Sequence, residues 1–195
     1  MATIKDISKT SIHVLNPDAL YVTPLVKNTS GEYTKEDAEF TYKLTEVIRD
    51  TTTISQEDPE ENRIENEFGS APIESNIQLG SYTFSAEVAD MQADLLNALC
   101  GYVKGTTNTN RVHAPSVYAP VYAEIALVFN AGNNKYYAAV LPKVLLNSKA
   151  TFDSLSTSMG RITLAGTALN IAVEDGTATI NTPFYIDTDF KTSEL

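Results

Sequence analysis

Cysteine, histidine and tryptophan are scarce in this sequence of 195 residues, which has one Cys, two His and no Trp. The single Cys100 cannot form an intramolecular disulfide, so a small disulfide-held scaffold is excluded and folding in a reducing cytoplasm is favoured. His13 and His113 are the only side chains that ordinarily titrate near neutral pH. They fall in an arm-like segment and in a polar loop, where a histidine is usually a solvated surface residue.

Catalytic motifs are absent as well. The sequence has no Gly-rich phosphate-binding loop, H-E-x-x-H, C-x-x-C or G-x-S-x-G. Cys100 and a histidine could form a nucleophile pair, but helical spacing places Cys100 beside an apolar stripe, and a small buried hydrophobe is the better interpretation. The sequence therefore predicts no catalytic residue, no metal ligand and no cofactor-binding residue, and it favours a protein that is not an enzyme.

Positive charge is in short supply, since 14 Lys and Arg stand against 25 Asp and Glu, a formal net charge of −11. Proteins that grip nucleic acid do so through clustered cations, so that class is disfavoured. Six carboxylates against one Arg give residues 57–67 a charge of −5. This segment lacks the spacing of a calcium-binding loop, and a solvated acidic loop is the preferred interpretation. Residues 106–173 are instead net positive, with Arg111, Lys135, Lys143, Lys149 and Arg161 against Glu124 and Asp153.

Long apolar runs are missing too. No stretch approaches the roughly 20 apolar residues of a membrane-spanning helix. The N-terminal MATIKDISKT lacks the basic segment followed by an apolar run that a signal peptide needs. We therefore expect synthesis in the cytoplasm and no membrane binding by this chain.

What the sequence does contain favours β structure. Ten Tyr, seven Phe and a hydrophobic content of 43% suit strands around one core. We predict a single mainly β domain over residues 1–195, an antiparallel barrel or sandwich with long loops between strands and one short helix. Residues 1–39 are expected to form an N-terminal arm and edge strands, because Pro17 and Pro24 interrupt them. Residues 187–195 form a polar tail.

Individual elements follow from periodicity. Residues 81–88 alternate polar and apolar side chains as a strand does, and residues 90–100 have the apolar spacing of a helix. Asp90 is predicted as its N-cap and Gly101 as its stop. A hairpin is predicted from residues 121–129 and 135–141. Other predicted strands cover residues 12–15, 21–26, 40–49, 51–56, 144–146, 160–164, 169–173 and 177–186, and long loops cover residues 57–72 and 104–120.

The order of these features resembles the tail-tube (major tail) proteins of long-tailed bacteriophages and the inner-tube proteins of contractile injection systems. Residues 51–102 carry most of the resemblance, with a Thr-rich strand, a long charged loop, a strand, and a short helix of the form D-x-x-x-D-L-L-x-x-L-x-G. The hairpin VYAEIALVFNAGNNKYYAAVLPKVLL and the later GRITLAGTALNI are similar to the continuation of that pattern, so the resemblance spans residues 40–186.

The resemblance implies a virion subunit, assembled in the bacterial host cytoplasm, that forms hexameric rings stacked into a hollow tail tube. DNA would pass non-specifically through its acidic or polar lumen, and its partners would be other copies of itself, a tape-measure protein, and tail terminator or neck proteins. Candidate inner-barrel residues are Thr51, Thr53, Ile54, Ser81, Thr83 and Ser85. Candidate contacts between subunits or rings are Glu57, Asp58, Glu60, Glu61, Ile64, Glu65, Glu67 and Phe68.

Other functions fit parts of the pattern. Another structural virion module, such as a tail terminator, neck or adhesin subunit, would share the β composition. A carbohydrate-binding module could use an aromatic platform built from Tyr118, Tyr122, Tyr136 and Tyr137. At strand spacing, however, packing in the core or at an interface is the better interpretation of these tyrosines.

Overall fold

The structure is a computed structural model, and it describes residues 17–35, 41–64, 74–117, 119–132, 135–152, 160–175 and 177–191. Seventeen strands and one helix occur in this part of the chain. The first eight strands are β1 (Pro17–Pro24), β2 (Val26–Lys27), β3 (Tyr33–Thr34), β4 (Tyr42–Leu44), β5 (Thr53–Gln56), β6 (Glu60–Ile64), β7 (Glu74–Gln78) and β8 (Tyr82–Val88). After them come α1 (Ala93–Cys100), β9 (Val103–Lys104), β10 (Val112–His113), β11 (Val121–Gly132), β12 (Lys135–Leu146), β13 (Lys149–Thr151), β14 (Arg161–Ala168), β15 (Ile171–Asp175), β16 (Ala178–Thr182) and β17 (Tyr185–Asp187). The predicted mainly β, antiparallel class is confirmed.

The main sheet has nine strands, with the order β4-β1-β11-β12-β14-β8-β5, while β13 pairs with β14 and β17 with β12. Its two ends are joined by one continuous segment. Leu44 pairs with β1, whereas Val47, three residues later, pairs with Val88 of β8. Backbone bonds from Ile48 N–H to the Glu87 carbonyl (2.7 Å) and from Ala89 N–H to the Glu46 carbonyl (2.9 Å) fix this crossing. The sheet thereby closes into a barrel without a free edge at this point.

The prediction that residues 21–26 lie at an edge is wrong. β1 is an inner strand, paired with β11 along Pro17–Pro24 and with β4 at Leu20, Tyr21 and Val22. Both prolines lie at the ends of the strand, so the missing N–H groups fall outside the part that pairs on both sides. Residues 12–15, predicted as a strand, lie outside the described residues.

β12 joins two of the predicted strands into one. The second of them begins after Pro142, which is buried within β12. Ile125 pairs with Leu141 and Ala123 with Val144, so Pro142 and Lys143 face the single residue Glu124 in a bulge. A bulge leaves a residue out of the ladder, and it therefore accommodates a proline that has no N–H to donate.

The predicted long loop at residues 57–72 is partly wrong. β6 and β7 pair from Glu60↔Gln78 to Ile64↔Glu74, so the acidic segment begins a two-stranded ribbon. The charge and the prolines favoured a loop, whereas β6 and β7 pair through their backbones, which does not depend on side-chain charge. In the second predicted loop, residues 104–120, the only strand pairing in the described part is β9 with β10. β15 extends beyond the strand predicted at residues 169–173, because Glu174 and Asp175 belong to it.

The helix is two to three residues shorter at its start than predicted. α1 begins at Ala93 with Gln92 as its N-cap residue, and no side chain caps it. Asp90 instead accepts hydrogen bonds from the backbone and side chain of Gln92. Gly101 ends the helix in a left-handed conformation with φ 68°, as the sequence predicts.

Two apolar clusters pack on the two opposite faces of the β11–β12 pair. The larger fills the barrel and receives Leu95, Leu96 and Leu99 of α1. The smaller lies on the opposite face, where Phe190 covers Ala126, Val128, Ala138 and Val140. This second cover explains why residues 125–129 and 136–142 of the hairpin are apolar on both faces. It also shows that the tail predicted at residues 187–195 is packed at Phe190, which is 8% exposed.

Candidate functional site

Hydroxyl side chains gather on the outer side of the barrel, across three adjacent strands. β8 lies between β5 and β14, and its alternation places Phe84, Ala86 and Val88 in the core. The side chains between them therefore point outward. The hydroxyl face, as we name it, is formed by Thr53 and Ser55 of β5, Thr83 and Ser85 of β8, and Thr163 and Thr167 of β14.

Register places these hydroxyls directly beside one another. Thr53 pairs with Ser85, and their Oγ atoms are 2.8 Å apart. Ser55 pairs with Thr83 with an Oγ–Oγ distance of 2.9 Å. Each cross-strand pair contributes about 0.2–1 kcal/mol to the sheet. The four hydroxyls of these two pairs satisfy one another, so this part of the face is polar without carrying a charge.

Charged groups near this face are balanced in sign. Glu87 and Arg161 form an ion pair with an Nη1–Oε2 distance of 3.2 Å. At the other end of β8, the Ser81 hydroxyl donates to the Glu57 carboxylate. Lys149, which pairs with Thr163, is exposed. The two carboxylates are thus balanced by two cations. This face fits the prediction of a polar lumen better than the prediction of an acidic one.

The six candidate inner-barrel residues do not all share one face. Thr53, Thr83 and Ser85 belong to the hydroxyl face. Ile54 follows Thr53 along the same strand, so its side chain points inward and packs against the core. The Thr51 hydroxyl donates to the Ile48 carbonyl (2.7 Å) and accepts from Glu87 N–H (3.0 Å), so it fastens the barrel closure.

Sequence reasoning missed the contribution of β14. Thr163 lies opposite Glu87, and Thr167 lies opposite Thr83. Their alternation with buried Ile162 and Leu164 was visible in the sequence as a strand. That β14 pairs with β8 was not, because about 75 residues separate the two strands and no local signal specifies their contact.

The acidic candidates lie where the ribbon joins the barrel. Glu57, Asp58 and Glu60 are exposed there, next to Leu79, which is 80% exposed. Glu61 and Ile64 are part of β6. Glu65, Glu67 and Phe68 lie outside the described residues. The described candidates therefore lie in β6 or at the base of the β6–β7 ribbon.

Titratable groups provide little chemistry in the described ranges. Burial raises the pKa of the Cys100 thiol to about 11, so it stays protonated at neutral pH. His113 is exposed on β10, and His13 lies outside the described residues. No group of three or more His, Cys, Asp or Glu side chains that could hold a metal occurs in this part of the chain. Nor does any helix found there have the length and apolar character to cross a membrane.

The tyrosines favour packing over a flat platform. Tyr137 is buried at 9% exposure, and Tyr136 packs against the smaller cluster. Tyr122 and Tyr33 have ring centroids 4.2 Å apart, with the Lys143 ammonium 5.3 and 5.4 Å from the two ring centroids. A cation held over both rings occupies the surface that a sugar would stack on. Tyr118 lies outside the described residues.

Comparison with known proteins adds no family. No protein-family model matches the chain, and no curated protein matches it.

Proposed function

We propose that this protein is a non-enzymatic structural subunit of a phage-type tail tube, in which hexameric rings stack into a hollow conduit and the hydroxyl face lines the lumen. The observation that carries the proposal is the hydroxyl face itself. Its β5 and β8 hydroxyls satisfy one another, so the face gives a passing polyanion no clustered cation to bind. Its small number of balanced charges also limits repulsion of that polyanion.

The barrel and its ribbon support the same proposal. Barrel closure removes the edge at which uncontrolled strand pairing would begin. Contacts between copies would then be made by elements outside the barrel, such as the β6–β7 ribbon. The base of this ribbon combines exposed Leu79 with Glu57 and Asp58. A tape-measure protein and terminator or neck proteins are the partners that a tube of this kind would use.

Electron microscopy of the purified chain tests assembly. We expect rings and hollow tubes to form as concentration rises, with six-fold symmetry in end views. A finite oligomer without tubes would favour a terminator, neck or adhesin subunit instead. A chain that stays monomeric throughout the accessible concentration range would overturn the proposal.

A second experiment tests which face lines the lumen. Thr53→Lys with Ser85→Lys places new cations on the hydroxyl face, and Lys27→Ser with Val26→Lys moves a cation within the exposed strand β2 as a control. We expect tubes of the first variant to retain double-stranded DNA inside them, with salt-dependent release, while wild-type and control tubes retain none. Equal retention by all three tubes would show that this face does not meet the lumen.

A further inference from the structure

A groove with acidic and apolar lining lies beside β17. It has a volume of about 490 Å³ and is lined by β15, β16 and β17, with Glu174 and Asp187 providing carboxylates. Ile180 and Ile186 line it as well and are 49% and 64% exposed. Its lining contains no Lys or Arg among the described residues. We name this the acidic groove.

A surface of opposite character follows α1. The basic loop, residues 103–117, contains Lys104, Arg111 and His113 and no acidic residue. Val103 and Val117 are 57% and 76% exposed. Lys104 pairs with Asp94 of α1, whereas Arg111 is exposed and has no ion pair in the described ranges. The loop therefore combines an available cation with exposed apolar side chains, as the groove combines carboxylates with exposed isoleucines.

The two surfaces lie at opposite ends of β8. Tyr82, at its start, stacks on Phe184 with ring centroids 5.1 Å apart, and Phe184 immediately precedes β17. Val88, at its end, leads into α1, whose first turn the basic loop contacts through Lys104 and Asp94. Seven residues of strand separate them, roughly 20 Å. Two different surfaces at opposite ends of a subunit make a head-to-tail contact, which repeats from copy to copy.

We infer that the basic loop of one copy docks into the acidic groove of a second copy, so that Arg111 meets Glu174 and Asp187 while Val103 or Val117 packs on Ile180 and Ile186. Charge complementarity selects a second copy as the occupant, because each copy carries both halves of the contact. The inference rests on the proposed function, to which it adds the surfaces that join the subunits. Opposite charge across such a contact fixes orientation and excludes like-to-like pairing.

Charge reversal tests the contact. In sedimentation at low salt, we expect Arg111→Glu alone and Glu174→Arg alone each to weaken association about tenfold, since each puts like charges together. Mixing the two variants should restore association. In an alternating copolymer the loop of Arg111→Glu meets the groove of Glu174→Arg at one contact, and the two unchanged halves meet at the next, so every contact joins opposite charges. The double variant, in which each contact again joins opposite charges, should assemble within about twofold of wild type.

A matched control separates this contact from net charge. Lys27→Glu changes the charge as Arg111→Glu does, on exposed β2, and should leave association unchanged. Circular dichroism should show that all variants fold, because neither Arg111 nor Glu174 has an ion pair in the described ranges. If Arg111→Glu and Glu174→Arg both assemble as well as the wild type, this inference is overturned, but the proposed tube function is not. A double variant that associates as weakly as either single variant would also overturn the inferred contact. A wild-type chain that stays monomeric would overturn both the contact and the proposed function.

Discussion

Close packing at single residues limits which substitutions the barrel tolerates. A Cβ atom added at Gly166 would lie 2.5 Å from Val144 Cγ1 and 2.6 Å from the Leu145 carbonyl oxygen. Neither neighbour can move freely, because Val144 is fully buried and Leu145 belongs to the paired strand. The glycine is therefore required by close approach of β14 to β12.

We expect Gly166→Ala to lower the free energy of unfolding by about 1–3 kcal/mol, as overpacking does in well-packed interiors. Urea denaturation measures the change. Gly160→Ala is the control, because its added Cβ would meet only ordinary contacts, 3.5 Å from Met91 and 3.7 Å from Phe152. Equal stability of the two variants would contradict the packing described here.

The reactivity of Cys100 provides a second test at the residue scale. Burial raises the pKa of its thiol to about 11, and the thiolate is the reactive form. At pH 8 we expect thiol reagents to modify the native protein roughly a hundredfold more slowly than the denatured chain. Reaction in native buffer at the denatured rate would show that the thiol is not held as described.

Elements differ in how far the sequence predicts them. The alternation at residues 81–88 and the leucines of α1 are local signals, and both elements form, although α1 begins later than predicted. The inner position of β1 and the pairing of β14 with β8 depend on partners far along the chain. The hydroxyl face was therefore only half predictable. Thr53, Thr83 and Ser85 were candidates from alternation and family resemblance, whereas Ser55, Thr163 and Thr167 were identified only from the fold.

The C-terminal segment is the element whose role the sequence conceals most. Phe190 stands among polar residues, yet it is buried against the outer face of β11 and β12. We expect Phe190→Ala to destabilise the protein by about 3 kcal/mol, because a buried aromatic side chain is lost and a cavity remains. Thermal or urea unfolding of the monomer measures it.

Ile186→Ala is the matched control for that prediction. Ile186 lies four residues before Phe190 but is 64% exposed, so its loss should change stability by less than about 0.5 kcal/mol. If Phe190→Ala were as stable as Ile186→Ala, the second apolar cluster would not hold this segment in place.

At the scale of the whole molecule, alkaline pH should weaken the fold. Burial, with the nearby carboxylates of Glu124 and Asp187, raises the pKa of Tyr185 to about 12, and burial raises that of Cys100 to about 11. The native state therefore keeps these protons at a pH where the unfolded chain has lost them. This contribution to stability is complete below about pH 8.5 and is lost as pH rises through the two native pKa values.

Urea unfolding at a series of pH values tests this sign. Tyr185→Phe should flatten the decline between about pH 10 and 12, and Cys100→Ala should flatten the part that begins at lower pH. A wild-type stability that rises across this interval would contradict the direction, and an unchanged profile in both variants would assign the decline to other groups.

The barrel closure described above also determines when the chain can fold on the ribosome. β1 pairs with β11, about 100 residues later. The outer face of β11 is covered only once Phe190, near the C-terminus, has been synthesised. At about 5–20 residues per second, β1 spends roughly 5–20 s without its partner. No complete barrel can form during that time, so the surfaces that need one, such as the hydroxyl face, are finished only late in synthesis. We therefore expect contacts between copies that need a finished barrel to form only after β11 and the C-terminal segment have been made.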